Sequence, residues 1–143
     1  MRILIVSAIE PEIALPTPTP DAQHGLRLKR RSHRTHELHE LTTGVGMVAT
    51  AAWCSRVLAE DHYDLALNFG LCGSFDRASA IGQVVHVTSD CVPEMGAEDG
   101  DGFMQQLGLI GANEFPFENG RLVNLHPPAS VTMGKLVAVD GIT

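Results

Sequence analysis

The stretch "LNFGLCGSFD", Leu67 to Asp76, decides the reading of the fold, because an apolar run passes straight into Gly70 and Gly73. The run itself, within "DLALNFG", is too short and aliphatic for a helix and predicts a buried strand over Leu65–Phe69. The segment after that strand has three readings: Cys72 as a nucleophile, the glycines as a phosphate cradle, or a tight turn lining a pocket.

Working outward, "RILIVSA" predicts another buried strand over Arg2–Ala8, and "THELHELT" alternates weakly enough to predict a strand over Thr35–Thr42. The glycine-rich "TGVG" then opens a helix over Met47–Asp61, with Met47, Ala51, Cys54 and Leu58 on one stripe. "GQVVHVTSD" predicts a third buried strand over Gln83–Ser89, a short helix is expected near Phe103–Leu109, and "KLVAVDGIT" closes with one more strand. "PTPTPD", Pro16 to Asp21, is loop, since its prolines lack backbone donors. Strand, helix, strand order predicts an α/β chain with a largely parallel sheet, one domain over residues 1–143, with no repeat or linker.

Composition narrows the class. Hydrophobic residues make up 44% and charged residues 19%, which is globular and not disordered. A net charge of −7 argues against a nucleic-acid partner. "RLKRRSHR", Arg27 to Arg34, concentrates basic residues, and a solvated hairpin or loop is favoured there over a phosphate or targeting patch. Cys54, Cys72 and Cys91 are odd in number and far apart, so they read as reduced thiols of a cytoplasmic protein. No apolar run reaches the roughly 20 residues of a membrane span, and no signal peptide is read at the start.

Each chemical motif has a plainer rival. Gly44, Gly46 and Ala49 fit G-x-G-x-x-A between a strand and a helix, but the acidic residue a dinucleotide site needs is missing after Asn68-Phe69-Gly70. The physical content that remains is that glycines opening a helix let backbone N–H groups approach a sugar or phosphate. Cys72 in "GLCGS" lacks the second glycine of a nucleophile elbow, since Ser74 stands there, and a buried structural thiol is expected. His33, His36 and His39 have a spacing that suits zinc only on a helix; on a strand His36 and His39 face opposite ways, so no metal is expected. "EMGAEDGDGF" fails the calcium-loop pattern and reads as an acidic loop. Glu10 and Glu12 come just after the first strand, at the end where α/β proteins bind ligands.

In order, "SAIEPE", "TTGVGMVATAA", "DLALNFGLCGSF" and "IGQVVHVTSD" resemble the nucleoside phosphorylase and nucleosidase superfamily. "VVHVTSD" with "PEMGAEDGDGF" is most similar to the futalosine hydrolase family, and the resemblance runs from Met1 to about Thr143. It implies a three-layer fold, a central, mostly parallel mixed sheet flanked by helices. It also implies hydrolysis of the N-glycosidic bond of futalosine, a step of menaquinone biosynthesis that releases hypoxanthine, with no metal or organic cofactor. Glu12 matches the water-activating carboxylate, Gly46 the loop near ribose and water, and Gly70, Cys72 and Gly73 the turn lining the ribose and base pocket. Phe103 lies near an aromatic position that, in related methylthioadenosine nucleosidases, reaches the neighbouring subunit's site; a homodimer or larger homo-oligomer is implied.

The chain departs from the family at "DGIT", where relatives continue with a Met-Glu pair that holds ribose hydroxyls and an Asp that protonates the leaving base. The chain reads as C-terminally truncated, with weak or absent turnover expected. Ser89-Asp90 has the letters of that late motif but lies on an earlier strand and is not given its role. Two rivals stay open: a methylthioadenosine or adenosylhomocysteine nucleosidase, and a noncatalytic nucleoside-binding or interaction module.

Overall fold

The computed structural model describes residues 1–10, 21–22, 27–100, 102–105, 111–124 and 136–143. The chain divides into two compact units, Met1–Phe75 and Asp76–Thr143. The fold is α/β with mixed sheets, and α1 (Met47–Glu60) is the one helix among the described residues.

Unit 1 is built on β1 (Arg2–Ser7), β2 (Asp21–Ala22), β3 (Leu28–His33), β4 (His36–Thr42) and β5 (Leu65–Asn68), ordered β2-β3-β4-β1-β5. β1 lies parallel to both β4 and β5, whereas β2, β3 and β4 form an antiparallel meander. The basic run is therefore a hairpin strand, turned back at Arg34 (φ 53) so that His33 pairs with His36. Alternation decides what goes inward. Leu4, Val6, Leu28 and Leu41 share the face on which α1 sets Val57, with Trp53, Cys54 and Tyr63 packed around them.

Three expectations change here. The inward stripe of α1 is Trp53, Cys54 and Val57, not Met47, Ala51, Cys54 and Leu58; Met47 and Leu58 are 53% and 52% exposed. The sheet turns the helix by one position, placing the large Trp53 ring against the core. β5 is half open to solvent instead of buried, because it forms the edge of its sheet. Asp21 belongs to β2 and not to a loop, and residues 16–20 lie outside the described set.

A polar network spans the amino edge of the sheet. Arg2 bonds Glu37 and Asp61 at 3.0 and 3.3 Å, and Arg30 bonds Asp61 at 3.0 Å. Buried His39 meets the Tyr63 hydroxyl through Nδ1 and Glu37 through Nε2, both at 2.8 Å. Hydrogen bonds from His39 and Arg2 hold the Glu37 carboxyl below its ordinary range. Burial, with Asp61 nearby, pushes the Tyr63 phenol up to about 12. Arg31 and Glu40 form a largely buried pair at 2.8 Å.

Unit 2 holds β6 (Val85–Asp90) between β10 (Val137–Asp140), parallel to it, and β9 (Leu122–Val123), antiparallel to it. β7 (Gly96–Asp99) and β8 (Gly102–Gln105) make a separate hairpin. The helix expected near Phe103–Leu109 is corrected over residues 103–105, which are strand, and residues 106–109 lie outside the described set. Gly100 (φ 60) is in a turn at the end of β7, and Phe103 pairs with Glu98 in a strand ladder. The segment read as an acidic loop is this hairpin. Gln83 is likewise in a turn, bonding Ala80; the strand starts at Val85 and, against the expectation of a buried strand, none of its residues is buried. Asn119 (φ 50) and Gly120 (φ 76) form a second tight turn, with Glu118 and Arg121 exchanging both backbone bonds.

Candidate functional site

Three strands of unit 1 end level with one another. The register pairs Ser7 with Thr42 and Val6 with Asn68, so the carboxyl ends of β4, β1 and β5 lie side by side. The segments leaving them are stitched at their first residues. Thr43 and Gly44 donate to the Ser7 and Ala8 carbonyls at 2.9 and 3.0 Å, and Phe69 donates to the Val6 carbonyl at 2.9 Å. Parallel strands ending together leave a ledge on which loops carry ligand chemistry.

After β4 the ledge is fixed by Thr43, which is 1% exposed. Its hydroxyl donates within hydrogen-bond reach of Gly44 O (3.0 Å) and Ser7 O (3.3 Å), and it also meets the Thr50 hydroxyl at 3.1 Å. Gly46 comes next at φ 101, ψ 153, and among the described residues no side chain caps α1, whose first-turn N–H groups have no intrahelical partner. Gly46 has open space where a Cβ would stand, whereas a Cβ on Gly44 would meet Arg27 Nη1 at 3.0 Å. Arg27 Nη1 also donates to Thr43 O at 3.4 Å.

After β1, Lys29 reaches Glu10 at 2.6 Å and holds that carboxyl below its ordinary range, hence ionised. Glu12, the residue matched to water activation, lies outside the described residues. After β5, Gly70, Cys72 and Gly73 are all exposed. Cys72 is thus not the buried thiol expected, because the chain has already left the sheet edge. Cys54 and Cys91 are both partly sheltered, and burial raises the Cys54 thiol, which makes it a weak nucleophile. Gly73 has nothing within 4 Å of where a Cβ would stand.

Gly46, Gly70, Cys72 and Gly73 therefore belong to one unit and leave one sheet edge. Phe103 sits in β8 of the other unit. Sequence reasoning missed Thr43 and the Lys29–Glu10 pair. The adjacent Thr42-Thr43 before the glycines was the available signal for the first; nothing local pointed to the second. His33, His36 and His39 lie on two paired strands, and no group of metal-ligating residues occurs among the described residues.

At the carboxyl ends of β6 and β10, Ser89 donates to Asp140 at 2.6 Å and accepts from Arg121 Nε at 2.8 Å. The tight Asn119-Gly120 turn delivers that arginine.

The fold and ledge define an α/β chain with a parallel three-strand segment that presents glycine-rich loops. No protein-family model matches the chain. No helix among the described residues is long and apolar enough to cross a membrane.

Proposed function

We propose that the protein is a nucleosidase of the futalosine hydrolase type, cleaving the N-glycosidic bond of a purine nucleoside by water. One observation carries the reading: the three segments that resemble the family's substrate loops leave the level ends of three neighbouring parallel strands. Glycosidic cleavage builds positive charge on the sugar, so the site must steady that charge and aim a water at the anomeric carbon. In this reading Glu12 orients the water, Gly46 lets backbone approach the ribose, and Gly70, Cys72 and Gly73 line the sugar and base. The three-layer nucleoside phosphorylase-like arrangement, a homo-oligomer with Phe103 at the neighbouring site and a cytoplasmic location belong to the same proposal.

The test is release of hypoxanthine from futalosine. Turnover that falls about 10²–10⁴-fold in Glu12→Gln supports the assignment. Absence of both release and binding of futalosine and inosine sinks it. Faster release of adenine from methylthioadenosine would reassign the substrate.

A further inference from the structure

Asparagine is followed by glycine at one place in the chain, Asn119-Gly120, whereas Asn68, Asn113 and Asn124 precede Phe69, Glu114 and Leu125. Chemistry sets that pair apart, because glycine has no side chain to hinder attack by its own backbone nitrogen. Once the Gly120 nitrogen gives up its proton to water, it can bond to Asn119 Cγ and close a five-membered imide. The Cγ–Nδ2 bond breaks, and Nδ2 takes up a proton and leaves as ammonia. Water then adds to either imide carbonyl carbon and reopens the ring to an aspartyl or an isoaspartyl link, with no oxidation or reduction.

The fold keeps the attacking nitrogen occupied. Asn119 is exposed, and φ values of 50 and 76 at Asn119 and Gly120 are the left-handed pair of a two-residue hairpin turn. Gly120 N–H donates to Ala112 O at 2.7 Å and Asn119 N–H to Asn113 Oδ1 at 2.8 Å. Glu118 and Arg121 bracket the turn with backbone bonds of 2.8 and 3.0 Å. Buried Phe117 roots the same loop, its N–H on Glu114 O at 2.8 Å. Swinging the Gly120 peptide toward Cγ breaks these bonds, so the imide can close only after the loop opens.

Its place gives the reaction a consequence. Arg121 follows the turn directly and donates Nε to Ser89 at 2.8 Å and Nη2 to Gly141 O at 3.3 Å, which ties the start of β9 to the carboxyl ends of β6 and β10. An isoaspartyl link adds a carbon to the main chain inside a two-residue turn, and its new carboxylate competes for Arg121.

We propose that Asn119-Gly120 is a self-modifying site. The native loop holds off imide formation, and the reaction that follows opening detaches Arg121 from Ser89 and loosens the three-stranded sheet of unit 2.

The test ages the full chain in mildly alkaline buffer, with and without urea, and scores each asparagine for loss of its amide by peptide mass spectrometry. In urea, Asn119 should convert ahead of Asn68, Asn113 and Asn124. Native protein should convert at Asn119 at least about tenfold more slowly, the factor set by an opening free energy of about 1.4 kcal/mol. Asn113→Ala removes one bond of the loop and leaves Asn119-Gly120 intact. It should raise the native rate roughly two- to tenfold and leave the rate in urea unchanged. Modified chain, separated by ion exchange, should exchange its β6 and β9 amide hydrogens faster than unmodified chain. Equal rates with and without urea, conversion spread evenly over the asparagines, a native rate unmoved by Asn113→Ala, or unaltered hydrogen exchange after modification overturns the proposal.

Discussion

His39 is 1% exposed, yet both ring nitrogens have partners, which is how a polar ring survives in an apolar layer. The groups around it set two pH limits. Glu37 has its folded pKa lowered, so its contribution is present above the ordinary carboxyl value of about 4.3 and is lost as pH falls through the folded pKa. Glu37→Gln should therefore narrow the gap between urea midpoints at pH 7 and pH 3. Tyr63 works at the other end. Its phenol is raised to about 12, so its contribution holds below the ordinary value of roughly 10 and disappears as pH rises from there through the folded value. Tyr63→Phe should remove that alkaline step from a denaturation series. On the opposite face of β4, Arg31 and Glu40 have side chains only 13% and 7% exposed. Arg31→Met strands a buried carboxylate and should cost about 3–5 kcal/mol, most of it recovered when Glu40→Leu is added. A single-mutant loss under about 1 kcal/mol in urea unfolding would refute that.

At the scale of elements, α1 is held by a narrow seam. Val57 is 2% exposed while its neighbour Leu58 is 52% exposed. Val57→Ala should cost about 2 kcal/mol and Leu58→Ala no more than about 0.5 kcal/mol by chemical denaturation. Equal losses would restore the stripe read from the sequence. The glycines separate in the same way. Gly46 occupies backbone space that is essentially reserved for glycine, so Gly46→Ala should cost about 1–3 kcal/mol. Gly73 has no positive φ and no neighbour within 4 Å of a Cβ. Gly73→Ala should leave the denaturation midpoint unchanged and raise KM for the nucleoside, because only a ligand would meet the added methyl group. A change in midpoint with unaltered KM would make Gly73 structural.

At the scale of the whole molecule, the buried apolar residues among those described are unevenly shared. Leu4, Ile5, Val6, Leu28, Leu41 and Val57 belong to unit 1, and among the described residues Phe117 is the one in unit 2. Stability tracks apolar burial, so unit 2 should open first. Trp53, the single tryptophan, reports unit 1 alone. The circular dichroism transition in urea should therefore begin at lower denaturant than the loss of Trp53 fluorescence; coincident curves would show one cooperative unit.

Much of this was legible along the chain, because it depends on near neighbours. The aliphatic runs gave β1 and β5, the glycine pair before Met47 gave the start of α1, and period-two alternation put His36 and His39 on opposite faces. What the residues settle by themselves is this local grammar: α/β class, the places of β1, β4, α1 and β5, and glycine where the backbone opens α1. Tertiary structure alone decided what required distant partners. Parallel pairing over more than thirty residues made the ends of β1 and β4 level, the sheet chose Val57 over Leu58, and the turn at Gly100 made Phe103 a strand residue. A short apolar run marks a strand but not what will cover it, since burial energy has no direction until another element supplies the surface.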